Sequence, residues 1–187
     1  YYFKYCKKKQ DSFYPSIILI SLKRPLILRK TETITIGNVF FELKTEKSSL
    51  IITKFEVTKN GQSRETLHYD SEKTTEVTIG RDSKCTIVIN NSSLSRVNAT
   101  IKFFKVSIKE LLLSEASNKK KLYDQLIDCD NDNQAVIKYW ELYDGSVNKP
   151  STNGLWLFSS HTYLIYDGLV VRLGKSKFII NKHQISG

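Results

Sequence analysis

The chain has 187 residues, enough to bury one proper core and better suited to one domain with elaborations than to two full ones. Its 29 Lys and Arg against 19 Asp and Glu give a formal charge of +10, which favours anionic partners: phosphorylated peptide, nucleic acid or a lipid surface. No apolar run approaches bilayer-crossing length, the longest being strand-sized around Ile17 to Ile20. The three cysteines, Cys6, Cys85 and Cys129, form neither a CxxC nor a zinc-binding cluster, which points to a reducing, intracellular compartment, cytoplasmic or nuclear.

In chain order, YYFKYCKKKQ opens a basic and aromatic linker over residues 1–15. It lacks an initiator Met, so a piece of a longer protein is expected. The segment fits a solvated linker and equally the inner flank of a membrane span preceding Tyr1; membrane contact is expected only through it. Residues 16–45 form an N-terminal β-hairpin extension with strands at Ile17 to Leu22, Leu26 to Arg29, Thr33 to Ile36 and Val39 to Leu43. These should pair as extra strands against the main sandwich or close a preceding module. LILRKTETITIGNVFFEL (Leu26 to Leu43) also echoes YLIYDGLVVRLGKSKFII (Tyr163 to Ile180), with Gly37 on Gly174, which either duplication or shared hairpin composition explains.

The main domain is expected over 46–183. β-branched and aromatic runs place strands at Leu50 to Val57, Glu65 to Tyr69, Glu76 to Ile79, Thr86 to Ile89 and Asn98 to Val106. They resume at Val136 to Leu142, Leu155 to Phe158, Tyr163 to Ile165, Leu169 to Leu173 and Lys177 to Ile180. The Asn-Gly pair of KNGQ (Lys59 to Gln62) and YDG (Tyr166 to Gly168) predict hairpins. Between the two groups lies an insertion at about 105–134. Its leucines at helical spacing in SIKELLLSEASNKKKLYDQL predict the one helical segment, Ser107 to Leu126. DCDNDNQAVIKY begins like a calcium loop at Asp128, Asp130 and Asp132, but Asn133 replaces the required Gly and Tyr139 the bidentate Glu, so no metal site is expected.

Three motifs each follow a predicted strand: Gly80-Arg81 in TIGRDSKCTIVI, Ser95-Arg96 and Asn98 in SLSRVNATI, and STNG at Ser151 to Gly154. Loops joining sandwich strands cluster at its ends, so these can converge on one ligand, and Arg, Ser, Arg and Thr together make an anion site. With DG at Asp167 and Gly168 and LG at Leu173 and Gly174, the set resembles the forkhead-associated (FHA) domain over about Ser49 to Ile180. The resemblance implies an all-β fold, a sandwich of two antiparallel sheets that binds phosphothreonine peptides.

It implies Arg81 as the leading phosphate ligand, since a planar, permanently charged guanidinium suits a dianion. Ser95 and Thr152 add hydroxyl or amide donors, Arg96 its side chain or N–H, and Asn153 a grip on the peptide backbone. Gly80, Asn98 and Gly154 shape the pocket, Gly154 through a turn that aims Asn153. Ser93 and Leu94 are the nearest counterparts of the residue that reads the third position after the phosphothreonine. Asn98 stands where the family generally has a bracing His, and Leu155 where Thr usually follows STNG.

Catalysis finds no support: His68, His161 and His183 lack a nucleophile or carboxylate in motif context, and no cofactor is implied. The expected function is phosphothreonine-dependent docking of the host protein onto modified partners. The alternatives are a structural scaffold with an idle pocket and constitutive contacts, for instance through the 105–134 insertion, and a charge-driven nucleic-acid or membrane role. Nucleic acid is the weaker expectation, because the Lys runs lie outside any patterned surface.

Overall fold

Strand-period alternation sets the faces. In VFFELKTE, Val39, Phe41 and Leu43 point inward with no exposure, while Phe40, Glu42 and Lys44 lie between them. A computed structural model describes residues 2–4, 18–29, 31–58, 61–107, 136–158, 162–164, 167–174 and 176–181. Among them the fold is all-β, and no described helix is long and apolar enough to cross a membrane. In chain order the strands are β1 (Tyr2–Lys4), β2 (Ile18–Ser21), β3 (Leu26–Leu28), β4 (Glu32–Ile36), β5 (Val39–Glu46), β6 (Ser49–Thr58), β7 (Gly61–Asp70) and β8 (Glu76–Gly80). There follow β9 (Ile87–Val88), β10 (Ala99–Ser107), β11 (Val136–Asp144), β12 (Trp156–Phe158), β13 (Thr162–Leu164), β14 (Leu169–Leu173) and β15 (Ser176–Ile180).

Two sheets carry thirteen of these strands, a five-stranded one ordered β3-β11-β10-β8-β9 and an eight-stranded one ordered β15-β14-β2-β12-β4-β5-β6-β7. Buried side chains from both form one apolar cluster, which gives a sandwich-like arrangement. Trp140 of β11 lies at its centre with no exposure, and its indole Nε1 donates to the Ser48 carbonyl at 3.1 Å, tying the smaller sheet to the β5–β6 turn of the larger. The β3 backbone is reached from the other sheet too, by Thr45 Oγ1 on the Leu28 carbonyl at 3.5 Å.

Several expectations change. Residues 18–46, set apart in the sequence as an extension, supply interior strands: β2 pairs with β12 and β14, β4 with β12 and β5, and Ile20, Ile34 and Phe41 share the cluster with Ile101 and Leu142. The sheets are not purely antiparallel, because β9 runs parallel to β8, aligning Ile79 with Ile87 so that Ile87 and Ile89 reach the core. KNGQ does join a hairpin, Thr58 facing Gly61. YDG does not: β13 pairs with β1, whereas β14 pairs with β2 and β15, so that turn leads from one sheet to another. The predicted linker contains β1. β10 continues through Ser107, and the predicted helix and Asp128, Asp130 and Asp132 lie outside the described residues. Gly37 and Gly174, the paired glycines of the echo, both take positive φ, at 63° and 58°, in hairpin turns of the larger sheet.

Candidate functional site

One row of the smaller sheet launches all three motif-bearing loops. Ala99 of β10 faces Ile79 of β8 on one side and Asp144 of β11 on the other. Adjacent strands lie roughly 4.8 Å apart, so the bases of loops 81–86, 89–98 and 145–155 start within about 10 Å of each other.

In the first loop, Gly80 allows a contact no other residue could make. A Cβ there would lie 2.1 Å from the Arg96 oxygen and 2.9 Å from Val97 Cα. Arg81 N–H donates to Ser95 O at 3.2 Å and Asp82 N–H to Arg96 O at 3.1 Å. Cys85 Sγ adds a bond to Arg96 O at 3.3 Å, and burial pushes its thiol up, which keeps it a protonated donor. Arg81 Nε donates to Leu94 O at 2.7 Å. That bond fixes the guanidinium plane, and the two Nη groups have no protein partner among the described residues.

The second loop is anchored by Leu94, buried in the core at 6% exposure. Asn91 Oδ1 accepts from Ser93 N at 3.0 Å and Ser93 Oγ at 2.7 Å, an Asx turn that presents the carbonyls of Ser93, Leu94 and Ser95 to the other two loops. Both expected specificity positions line the cleft, Ser93 exposed and Leu94 with its side chain packed into the core.

The third loop is held at both ends. Gly145 N–H donates to Asn98 O at 2.9 Å, and Thr100 Oγ1 to Gly145 O at 2.7 Å. Ser151 Oγ donates to Asp144 Oδ1 at 2.5 Å; burial raises the Asp144 pKa, against the opposing pull of Ser151 and of Lys23. Gly154 turns the chain at φ +71°, a conformation L residues rarely adopt. Across the gap, Thr152 N–H donates to Ser95 Oγ at 2.9 Å and Asn153 Nδ2 to Ser93 O at 2.8 Å.

Arg81, Ser95, Arg96, Thr152 and Asn153 all line one open cleft of about 480 Å³. Gly154 lines a neighbouring cleft instead. Asn98 lies beneath, 1% exposed, and braces the loops with its main chain, since its N–H donates to Ile79 O at 2.8 Å while its carbonyl takes Gly145 N–H. Its Oδ1 has no partner among the described residues. Sequence reasoning missed Lys149, which adds a third cation to Arg81 and Arg96 opposite the single carboxylate of Asp82. The signal available was its place two residues before Ser151 in KPSTNG.

Chemically, the cleft offers guanidinium, ammonium, hydroxyl and amide groups to an anion. No family model matches this chain, and no curated protein or solved structure is found similar to it.

Proposed function

We propose that the chain is an FHA-type β-sandwich that docks its host protein onto phosphothreonine-containing partners, with the Arg81–Ser95–Thr152 cleft as the phosphate site. The observation that carries this reading is the pair of bonds from Thr152 N–H to Ser95 Oγ and Asn153 Nδ2 to Ser93 O, which tie the third loop to the second as Arg81 Nε on Leu94 O ties the first, beside a cleft lined by a cation from each. With Nε committed to Leu94 O, Arg81 offers its Nη groups as a fork for two phosphate oxygens. Ser95 accepts from Thr152 and still has its hydroxyl hydrogen to give; Thr152 has its own hydroxyl. Arg96 and Lys149 add positive charge to the cleft lining, and Asn153, with Nδ2 spent on Ser93 O, keeps its amide oxygen to accept from a ligand backbone N–H. We read the segment that follows Ser107, to about residue 134, as a helical insertion and a surface for a constitutive partner.

The test is titration of a degenerate phosphothreonine peptide library and its unphosphorylated twin. Phosphorylated peptides should bind selectively, and Arg81→Ala should weaken them by about tenfold to 150-fold, the equivalent of losing a charged hydrogen bond of about 1.5–3 kcal/mol. Equal binding of the two libraries would refute the reading. Binding of unrelated nucleic acids or anionic vesicles that falls steeply with salt would favour the charge-driven alternative.

A further inference from the structure

The loop over residues 146–153 has two faces. One lines the candidate phosphate cleft; the other lines a second cleft, also of about 480 Å³. Its opposite side is built from distant parts of the chain: Lys23 and Arg24 after β2, Trp156 of β12 and Lys177 of β15. Lys149 lines both clefts. Four cations thus face one carboxylate in the second cleft, that of Asp144, which Ser151 already engages. Lys23, Lys149 and Lys177 are exposed and form no ion pair among the described residues.

We propose that this second cleft holds an anionic side chain of the same phosphopeptide, a carboxylate or a second phosphate a few residues from the phosphothreonine, and so sets which phosphorylated partners bind. The proposal rests on the phosphothreonine reading of the first cleft. A peptide is the favoured occupant because the wall between the clefts carries Thr152 and Asn153, whose hydroxyl and amide suit an extended backbone crossing from one to the other. An extended chain advances roughly 3.3 Å per residue, so a short step along the ligand spans the crest of a single loop. Lys23 and Lys177 on the far side are compact charges on flexible stems, which fit an anion whose position can vary by a residue.

The test uses short peptide pools with a fixed central phosphothreonine, in which each flanking position is set in turn to Ala, Glu or phosphoserine. Binding is measured by fluorescence anisotropy to the chain, to the Lys23→Gln/Lys177→Gln double variant and to Arg81→Ala. Glu or phosphoserine at one or two neighbouring positions on one side should tighten binding about threefold to tenfold over Ala, the range for two exposed ion pairs. The gain should shrink with salt. The double variant should lose that gain and still bind the Ala pool as the parent does, whereas Arg81→Ala should weaken every pool. A gain confined to Glu identifies a carboxylate ligand and one confined to phosphoserine a second phosphate. Phosphothreonine-dependent binding with equal Ala, Glu and phosphoserine affinities, or a gain that survives the double variant, overturns this inference and leaves the first cleft standing. Loss of phosphothreonine dependence in all pools removes both. Unrelated nucleic acid that binds the parent but not the double variant would assign the second cleft to nucleic acid and overturn the proposal.

Discussion

Replacing Gly80 by Ala tests whether main-chain contact sets the spacing of the first two loops. The new Cβ would meet the Arg96 oxygen at 2.1 Å, the Arg96 carbonyl carbon at 2.8 Å and Val97 Cα at 2.9 Å, none of which can rotate aside. Optimal carbon contacts lie near 3.5 Å, so the strand end or the 95–97 backbone must move by about 1 Å. The Arg96 oxygen is held by Asp82 N–H and Cys85 Sγ, and the Ser95 oxygen by Arg81 N–H. Losing two such bonds costs about 1–3 kcal/mol, and overpacking a further ~1–3 kcal/mol. Ala restricts the unfolded chain and returns about 0.4–1 kcal/mol. The net expectation is a loss of about 1–5.5 kcal/mol, centred on ~3 kcal/mol, and the central value lowers Tm by about 6–12 °C for a chain of this size. Urea unfolding followed by fluorescence of buried Trp140 measures it, with the m-value as a check that compactness is unchanged. Phosphothreonine affinity of the folded variant should fall about tenfold or more, because Arg81 and Ser95 shift against each other. Gly154→Ala is the contrast: it meets nothing closer than 3.9 Å but must hold φ +71°, which costs about 1–2 kcal/mol. Stability of Gly80→Ala within about 0.5 kcal/mol of the parent, with unchanged affinity, would refute the contact argument.

Asn153→Ala removes the Nδ2 bond to Ser93 O and should weaken phosphopeptide binding about tenfold in titration, with a change in unfolding free energy of about 1 kcal/mol or less, since the pair is exposed. Asp144→Asn keeps an Oδ1 acceptor for Ser151 and discards a desolvated charge. The raised carboxyl pKa means that ionisation of Asp144 subtracts stability above its ordinary range. The Asn variant should therefore match or exceed the parent in urea unfolding near neutral pH and lose that advantage near pH ~3, while Asp144→Ala should loosen Ser151 and weaken peptide binding. Burial, then Glu141, pushes the Tyr139 phenol up to about 12. Because the unfolded chain releases that proton near pH ~10 and the folded chain retains it, stability should fall as pH rises from about 10 towards 12. Tyr139→Phe should flatten the decline in unfolding midpoints measured across that window.

The strands were legible because most bury one face, so the period of two survives in residues such as Val39, Phe41 and Leu43. Their partners were less so. Nothing local tells ILIS at β2 to lie between β12 and β14, because that placement is decided by which buried faces complement each other across the chain. β9 illustrates the same limit: two residues, Ile87 and Val88, carry no signal of parallel pairing, which follows from Ile87 and Ile89 closing over the core. The site loops were legible for a different reason. Gly80 and Gly154 record close approach and unusual φ in the sequence itself. Lys149, Lys23 and Lys177 record nothing of the kind, since a solvated lysine has the same local context whether or not the fold gathers it beside others.

The braces of the first cleft also bear on how it would bind. Arg81, Ser95 and Thr152 are tied by main-chain or Nε contacts that leave the Arg81 Nη groups and the Ser95 and Thr152 hydroxyl hydrogens uncommitted among the described residues, so the loops are held in place without a ligand. Ordering them on binding would otherwise cost about 0.5–1.5 kcal/mol per immobilised side chain. Much of that order passes through Asn98, whose N–H and carbonyl join Ile79, at the base of the first loop, to Gly145, at the base of the third, while Ala99 pairs with both neighbouring strands. The brace is the peptide unit. A histidine ring at this position would add side-chain bonds to a frame that the backbone already closes, so the loops are held this closely around an Asn whose Oδ1 has no partner among the described residues. Rigidity of the cleft then depends on Gly80 and Thr100 more than on the chemistry of residue 98: Gly80 permits the approach of Arg96, and Thr100 holds the Gly145 carbonyl from the strand below.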